Sequence, residues 1–111
     1  LIFAGIHGDE PASVEAMLEL AVRMEGEKDP PSLFLVPVVN PDGIARGTKN
    51  SARDVDLNRN FPARSFATTH APGYFPGPAP LSEPETQILA RIVDGGIRGA
   101  VAVHAPLACI N

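Results

Sequence analysis

Three short apolar runs, each running into polar residues, constrain this chain more than any other feature. They are Leu1-Ile2-Phe3-Ala4-Gly5-Ile6, the core Leu33-Phe34-Leu35-Val36 of a stretch Ser32–Val39, and Ile97–His104. Continuous apolar runs of this length suit strands buried on both faces, as in a parallel sheet. Helical spacing lies between them. Val14, Met17, Leu18, Ala21 and Val22 form one apolar face, opened by Pro11 and stopped by Gly26. Ile88, Leu89, Ile92 and Val93 form another, ended by Gly95-Gly96, and Ser82-Glu83-Pro84-Glu85 before it reads as a capping box with Ser82 as N-cap. Helices between strands imply crossover connections. The expected fold is therefore α/β, with a sheet at least partly parallel. Pro37 makes the second strand irregular near its end or places it near an edge.

The rest reads as loop. Asn40-Pro41-Asp42-Gly43 is a turn signal. From Ile44 to Pro80 no periodicity is sustained, and Gly73, Pro76, Gly77, Pro78 and Pro80 crowd together. A structureless stretch of this length belongs to function more often than to packing. Parallel sheets bind ligands at the carboxyl ends of their strands. His7, Asn40 and His104 follow or end the three strands, so the chemistry-bearing residues are expected at one edge.

Composition removes several classes of function. The chain has 111 residues, enough for one domain or part of one. A net charge of −4 argues against a nucleic-acid partner. No apolar run nears the roughly 20 residues of a membrane span. Cys109 is the one cysteine, so no internal disulfide can form; it reads as a small buried apolar residue. The apolar start at Leu1 and the stop at Asn111 just after a strand suggest a piece truncated at both ends, from which a targeting leader could have been lost.

His7 and Glu10 form an H-x-x-E pair at a strand-to-helix turn. Imidazole and carboxylate both bind zinc, and this spacing can bring both to one ion. Alone, the pair equally describes a surface hydrogen bond. His104, at a strand end facing the same crevice, would complete a three-ligand zinc site; its bland reading is a satisfied core histidine. Asp54-Val55-Asp56-Leu57-Asn58-Arg59-Asn60-Phe61-Pro62 is the second cluster. Arg59 offers a planar fork for a carboxylate, Asn58 an amide donor, and Asp56 an acceptor for the second ring nitrogen of a ligand histidine. By itself this cluster also describes a solvated turn with an Asp–Arg pair. His70 reads as solvent-facing, and Tyr74 and Phe75 as loop aromatics near the site.

The segments His7-Gly8-Asp9-Glu10-Pro11, Asn40-Pro41-Asp42-Gly43, Val55 to Pro62, Ser82 to Thr86 and His104 to Ile110, in that order, resemble the zinc carboxypeptidase superfamily (the metallocarboxypeptidase clan). His104-Ala105-Pro106-Leu107-Ala108-Cys109-Ile110 points within it to the branch of γ-D-glutamyl-diaminopimelate amidases acting on murein peptides. The resemblance implies an α/β fold with a mixed, mostly parallel sheet and helices on both faces, and a zinc-dependent amide hydrolase holding one Zn2+ through His7, Glu10 and His104. Asn58 and Arg59 match the grip on the substrate carboxylate, and Asp56 the partner of the first histidine. Lys49 stands where the superfamily has a carbonyl-polarising arginine, with Arg46 and Arg53 nearby, and Asp54 where relatives have glycine. The general-base glutamate is expected beyond Asn111. Residues 1–111 would then be the N-terminal part of one catalytic domain, inactive alone. The implied partner is a small peptide like murein tripeptide, cut between γ-D-glutamate and diaminopimelate, and the implied compartment is cytoplasmic. Oligomeric state is left open. The alternatives are an N-acyl amino acid deacylase of the succinylglutamate desuccinylase/aspartoacylase type and a non-catalytic zinc- or peptide-binding relative.

Overall fold

A computed structural model describes residues 1–105. The segment 106–111, with Cys109 and most of the stretch that points to the amidase branch, lies outside the described residues. The chain runs β1 (Ile2–Phe3), α1 (Pro11–Glu25), β2 (Leu35–Val36), α2 (Pro41–Arg46), a short 3-10 turn (Leu57–Arg59), α3 (Pro84–Asp94) and β3 (Val101–Ala102).

The described strands form one parallel sheet in the order β2-β1-β3. Ile2 is in register with Leu35 and Val101, and Phe3 with Val36 and Ala102. The regular strands are shorter than the apolar runs, yet backbone pairing continues past them: Asn40 N–H donates to Gly5 O at 2.9 Å and Val103 N–H to Phe3 O at 2.8 Å. Since β2 and β3 flank β1 on opposite sides, right-handed crossovers place α1 and α3 on opposite faces. Packing agrees. Leu89 of α3 joins Leu1, Ile6, Val39 and Leu57 in one core cluster, with Phe3, Val36 and Ile92 against it. Met17 of α1 is buried outside that cluster.

Burial on both faces holds for the central run only. Leu1, Ala4 and Ile6 are buried, whereas Phe34 and Val101 are 50% and 56% exposed. β2 and β3 each have a neighbour on one side among the described residues, so they lack the cover that encloses β1. β2 stops at Val36, and Pro37 follows it at the edge, as its missing N–H requires.

All three helices begin with proline, and this corrects two sequence expectations. Proline favours extended backbone in the residue before it and suits the first helical position itself. Pro84 thus makes Glu83 the N-cap (φ −98°, ψ 138°), and Ser82 Oγ donates to the Glu83 carboxylate instead of capping. Pro41 likewise makes Asn40 an N-cap whose side chain accepts from Gly43 N–H, so the turn signal at 40–43 opens α2. The stretch from Ile44 to Pro80 also holds the end of α2 and the 3-10 turn, and is otherwise irregular.

Candidate metal centre

The loop from β1 to α1 carries His7 and Glu10, and its shape depends on two contacts with α2. A side chain on Gly8 would run into the backbone of Gly43, so the loop and α2 meet through bare backbone. Asn40, with no exposed surface, donates from Nδ2 to Ile6 O (3.3 Å) and Lys49 O (3.2 Å). Of the three strand-end residues, Asn40 is therefore a bracket, its amide occupied by backbone.

His7 and His104 reach the crevice from adjacent strands, with ring centroids 5.1 Å apart. Glu10 joins them. Its Oε1 lies 2.9 Å from His7 Nδ1 and its Oε2 lies 3.0 Å from His104 Nδ1. Ala105 N–H also donates to Oε2, at 3.1 Å. One ligand atom from each of the three side chains lies within 4.8 Å of the others. Metal–ligand bonds of about 2.0–2.2 Å in a tetrahedral site put ligand atoms roughly 3.3 Å apart. Two imidazole nitrogens and a carboxylate oxygen at these separations fit a three-ligand zinc site after small side-chain adjustments. The His104 side chain is 33% exposed, so the cluster is open to solvent on that side.

The second ring nitrogen of His7 is spoken for. Asp56 Oδ1 lies 3.1 Å from His7 Nε2, and the Asp56 side chain is 1% exposed. A proton on Nε2 donated to this carboxylate leaves the Nδ1 lone pair facing Glu10 and His104. Burial works against charge on His7, but hydrogen bonds to Asp56 and Glu10 outweigh it and raise the pKa above the ordinary histidine value. Burial likewise opposes charge on Glu10, yet His7, Ala105 N–H and His104 together hold its pKa below the usual glutamate range. For Asp56 burial is again the largest influence, overcome by His7 and Lys49, and the pKa falls. The three shifts share one cause: two carboxylates, two imidazoles and the Lys49 ammonium crowd into one partly buried cluster.

Asp56 also starts the second cluster. Its Oδ1 accepts from Asn58 N–H at 3.1 Å, capping the 3-10 turn that presents Asn58 and Arg59. The Arg59 side chain is 58% exposed and, with Asn58, Phe66, His70 and Tyr74, lines a cavity of about 370 Å³. None of His7, Glu10 or His104 lines this cavity, so the two clusters are neighbours joined through Asp56. Lys49 donates to Asp56 Oδ2 (2.8 Å) and Gly73 O (3.1 Å), with its ammonium 3.6 Å from the centre of the Tyr74 ring. Asp54 has φ +59°, the left-handed backbone that favours glycine. His70 is exposed and contacts Phe75.

Sequence reasoning missed the frame behind this cluster. Asn60, fully buried, shares its two amide protons among Pro76 O, Ala79 O and Ser82 Oγ, which lie 2.7, 3.0 and 2.9 Å from Nδ2. It accepts from Glu83 N–H and Thr86 Oγ. Buried Glu83 receives two bonds from Arg53, at 3.1 and 3.0 Å. A polar residue flanked by Arg and Phe carries no local mark of such a role. The one available signal was the density of amides in a segment that packs against prolines and glycines.

The zinc carboxypeptidase family pattern matches residues 1–107. Murein peptide amidase A of Escherichia coli (strain K12) is 42% identical over an alignment covering 100% of this chain and 50% of that protein. Carboxypeptidase SOL1 of Arabidopsis thaliana is 35% identical, covering 76% of this chain and 18% of its own length. The crystal structure of murein-tripeptide amidase from Escherichia coli O157 superposes with a TM-score of 0.74 at 38% identity, covering 97% of this chain and 50% of that one. The chain thus spans about half the length of the murein peptide amidases it matches.

Proposed function

The chain belongs to the zinc carboxypeptidase family, and from that premise we propose that it holds the metal cage and carboxylate grip of a zinc-dependent amidase acting on murein peptides. The meeting of His7, Glu10 and His104 within 4.8 Å carries the reading. In it, His7, Glu10 and His104 would hold a zinc ion, which when bound would supply Lewis acidity toward water and the scissile carbonyl. Asp56 holds the His7 ring in the orientation and tautomer that metal binding needs. Asn58 and Arg59 take the free carboxylate of the substrate, Arg59 through two parallel N–H donors, which sets the distance from carboxylate to cut bond. Murein tripeptide, cut between γ-D-glutamate and diaminopimelate, presents such a carboxylate. The similarity to two murein peptide amidases supports that substrate over other C-terminal residues.

Hydrolysis also needs a group that takes a proton from water and returns one to the leaving amine. Glu10, engaged through both oxygens with the imidazoles, is a ligand in this reading and cannot serve as that base. The base is expected beyond Asn111, so residues 1–111 alone bind zinc without turning over substrate. The test is zinc titration of this chain against its His104→Ala variant, followed by assay on murein tripeptide. Tight one-to-one binding lost in the variant, with no hydrolysis, is expected. Turnover by the 111-residue chain, or equal zinc binding by both proteins, overturns the assignment.

A further inference from the structure

Lys49 and Arg59 stand over the same two acceptors. On Asp56 Oδ2, the Lys49 ammonium sits at 2.8 Å and Arg59 Nε at 4.0 Å. On the face of Tyr74, Lys49 Nζ lies 3.6 Å from the ring centre and the Arg59 guanidinium carbon 5.6 Å. Lys49 is the closer cation at both, and Gly73 O fixes it from a third side. Asp56 Oδ1 is already used by His7 Nε2 and Asn58 N–H, so Oδ2 is the carboxylate's open oxygen for a side-chain cation. A guanidinium left without this competitor has a buried carboxylate and an aromatic face in reach, and both attract it.

We propose that Lys49 is a positioning residue that acts through Arg59: by occupying Asp56 Oδ2 and the Tyr74 face, it keeps the Arg59 fork turned to the cavity and open to a ligand carboxylate. The proposal rests on the reading of Arg59 as a carboxylate grip and adds how that grip is kept open. It gives Lys49 a task different from polarising the scissile carbonyl. An ammonium held by a carboxylate, a carbonyl oxygen and a ring has its donors committed within the protein. The site thereby separates its two cations. The compact ammonium satisfies the protein's own acceptors, and the planar fork is reserved for the ligand.

The experiment reads the accessibility of Arg59 directly, in the metal-free chain, by its rate of modification with phenylglyoxal followed by peptide mass spectrometry. Exposed Arg98, away from both clusters, is the internal reference. In Lys49→Met, Arg59 falls onto Asp56 and Tyr74, and its labelling slows roughly fivefold while Arg98 is unchanged. Lys49→Arg, which can occupy the same acceptors, restores the rate to within about twofold. In an Asp56→Asn background, Lys49→Met slows Arg59 much less. Should circular dichroism show that Lys49→Met fails to fold, Lys49→Gln replaces it: neutral, and too short for the ring, it too slows Arg59. Wild-type labelling of Arg59 in the folded neutral variant overturns the proposal, and so does an undiminished effect of that variant in the Asp56→Asn background. Failure of the grip itself looks different. Millimolar succinate then does not protect wild-type Arg59, whatever Lys49 does, and failure of the metal site appears only in the zinc titration.

Discussion

His7, Glu10 and His104 are gathered by the sheet, whereas Asn58 and Arg59 are held by a web of buried polar side chains. The first group depends on the pairing of β1 with β3, which brings His7 and His104 beside each other from opposite ends of the chain. Behind it stand Asp56 on His7 Nε2, Ala105 N–H on Glu10 and the Asn40 amide that brackets the loop. The second group sits on a three-residue turn with little regular structure near it. There Asn60 ties the turn to residues 76–86 through five hydrogen bonds. The contrast teaches that strand register brings the candidate ligands together, with a few polar side chains to orient them. A grip on an anion, built on irregular backbone, needs side chains as scaffold. Asp56 belongs to both groups.

This contrast predicts opposite phenotypes. His104→Ala should weaken zinc binding at least a hundredfold, because four-ligand structural zinc sites bind with about 10–16 kcal/mol, or about 3 kcal/mol per ligand, and this site has three ligands to begin with. Its effect on the stability of the metal-free chain should stay within about 0.5 kcal/mol, as for other partly exposed side chains. Asn60→Ala should do the reverse. It removes the partners of Glu83 N–H and of the Pro76 and Ala79 carbonyls in a buried setting, while Thr86 Oγ and Ser82 Oγ keep bonds to Glu83, at a cost of about 3 kcal/mol in stability. Zinc affinity of the folded fraction should survive. Calorimetric titration together with denaturant midpoints measures both. If Asn60→Ala lost zinc at unchanged stability, the division into two independent supports would be wrong.

Asp56→Asn tests the joint. The amide keeps an oxygen for His7 Nε2–H but brings no charge to balance Lys49 or to strengthen the bond to His7. Zinc affinity should fall about ten- to a hundredfold, the range found for groups behind a metal ligand. Stability should also drop, because Asp56 caps the 3-10 turn and meets Lys49. A loss confined to one of the two readouts would show that Asp56 serves only one cluster.

The same division explains what was legible in the sequence. The α/β order, the parallel sheet, the end of β2 before Pro37 and the helix stops at Gly26 and Gly95 follow from apolar runs and breakers, which act locally. The three candidate ligands stood out because strand ends converge in a parallel sheet. Helix starts were less legible. At Asn40-Pro41 and Glu83-Pro84 a turn signal and a capping-box pattern competed with proline's bias on the residue before it, and the proline decided both. Least legible was the web around Asn60 and Glu83, whose partners lie 16 to 32 positions away for all but a few bonds. No periodicity records such pairings. Lys49 was visible as a departure from the family pattern, but its seat on Asp56 and Tyr74 needed coordinates.

The smallest predicted effect concerns Asp54, where the clamp side of the comparison is most exposed to failure. Its φ of +59° is strained for any residue with a side chain, by about 1–2 kcal/mol in the general case and less for Asp. Against this, Asp54 Oδ1 accepts from Asn50 Nδ2 at 2.9 Å. Asn50 is itself buried, and its Oδ1 has no partner among the described residues, so it has few bonds to lose. Glycine would relieve the strain and forfeit the bond, two terms of about 1 kcal/mol each that oppose one another. Asp54→Gly should therefore shift stability by less than about 0.5 kcal/mol. Asp54→Ala keeps the strain and forfeits the bond, and should destabilise by about 1 kcal/mol. Denaturant midpoints of the two variants separate the terms. A gain well above about 1 kcal/mol for glycine would mean that the Asp54 side chain supports nothing, and that this turn is held by backbone, much as strand register brings the candidate ligands together.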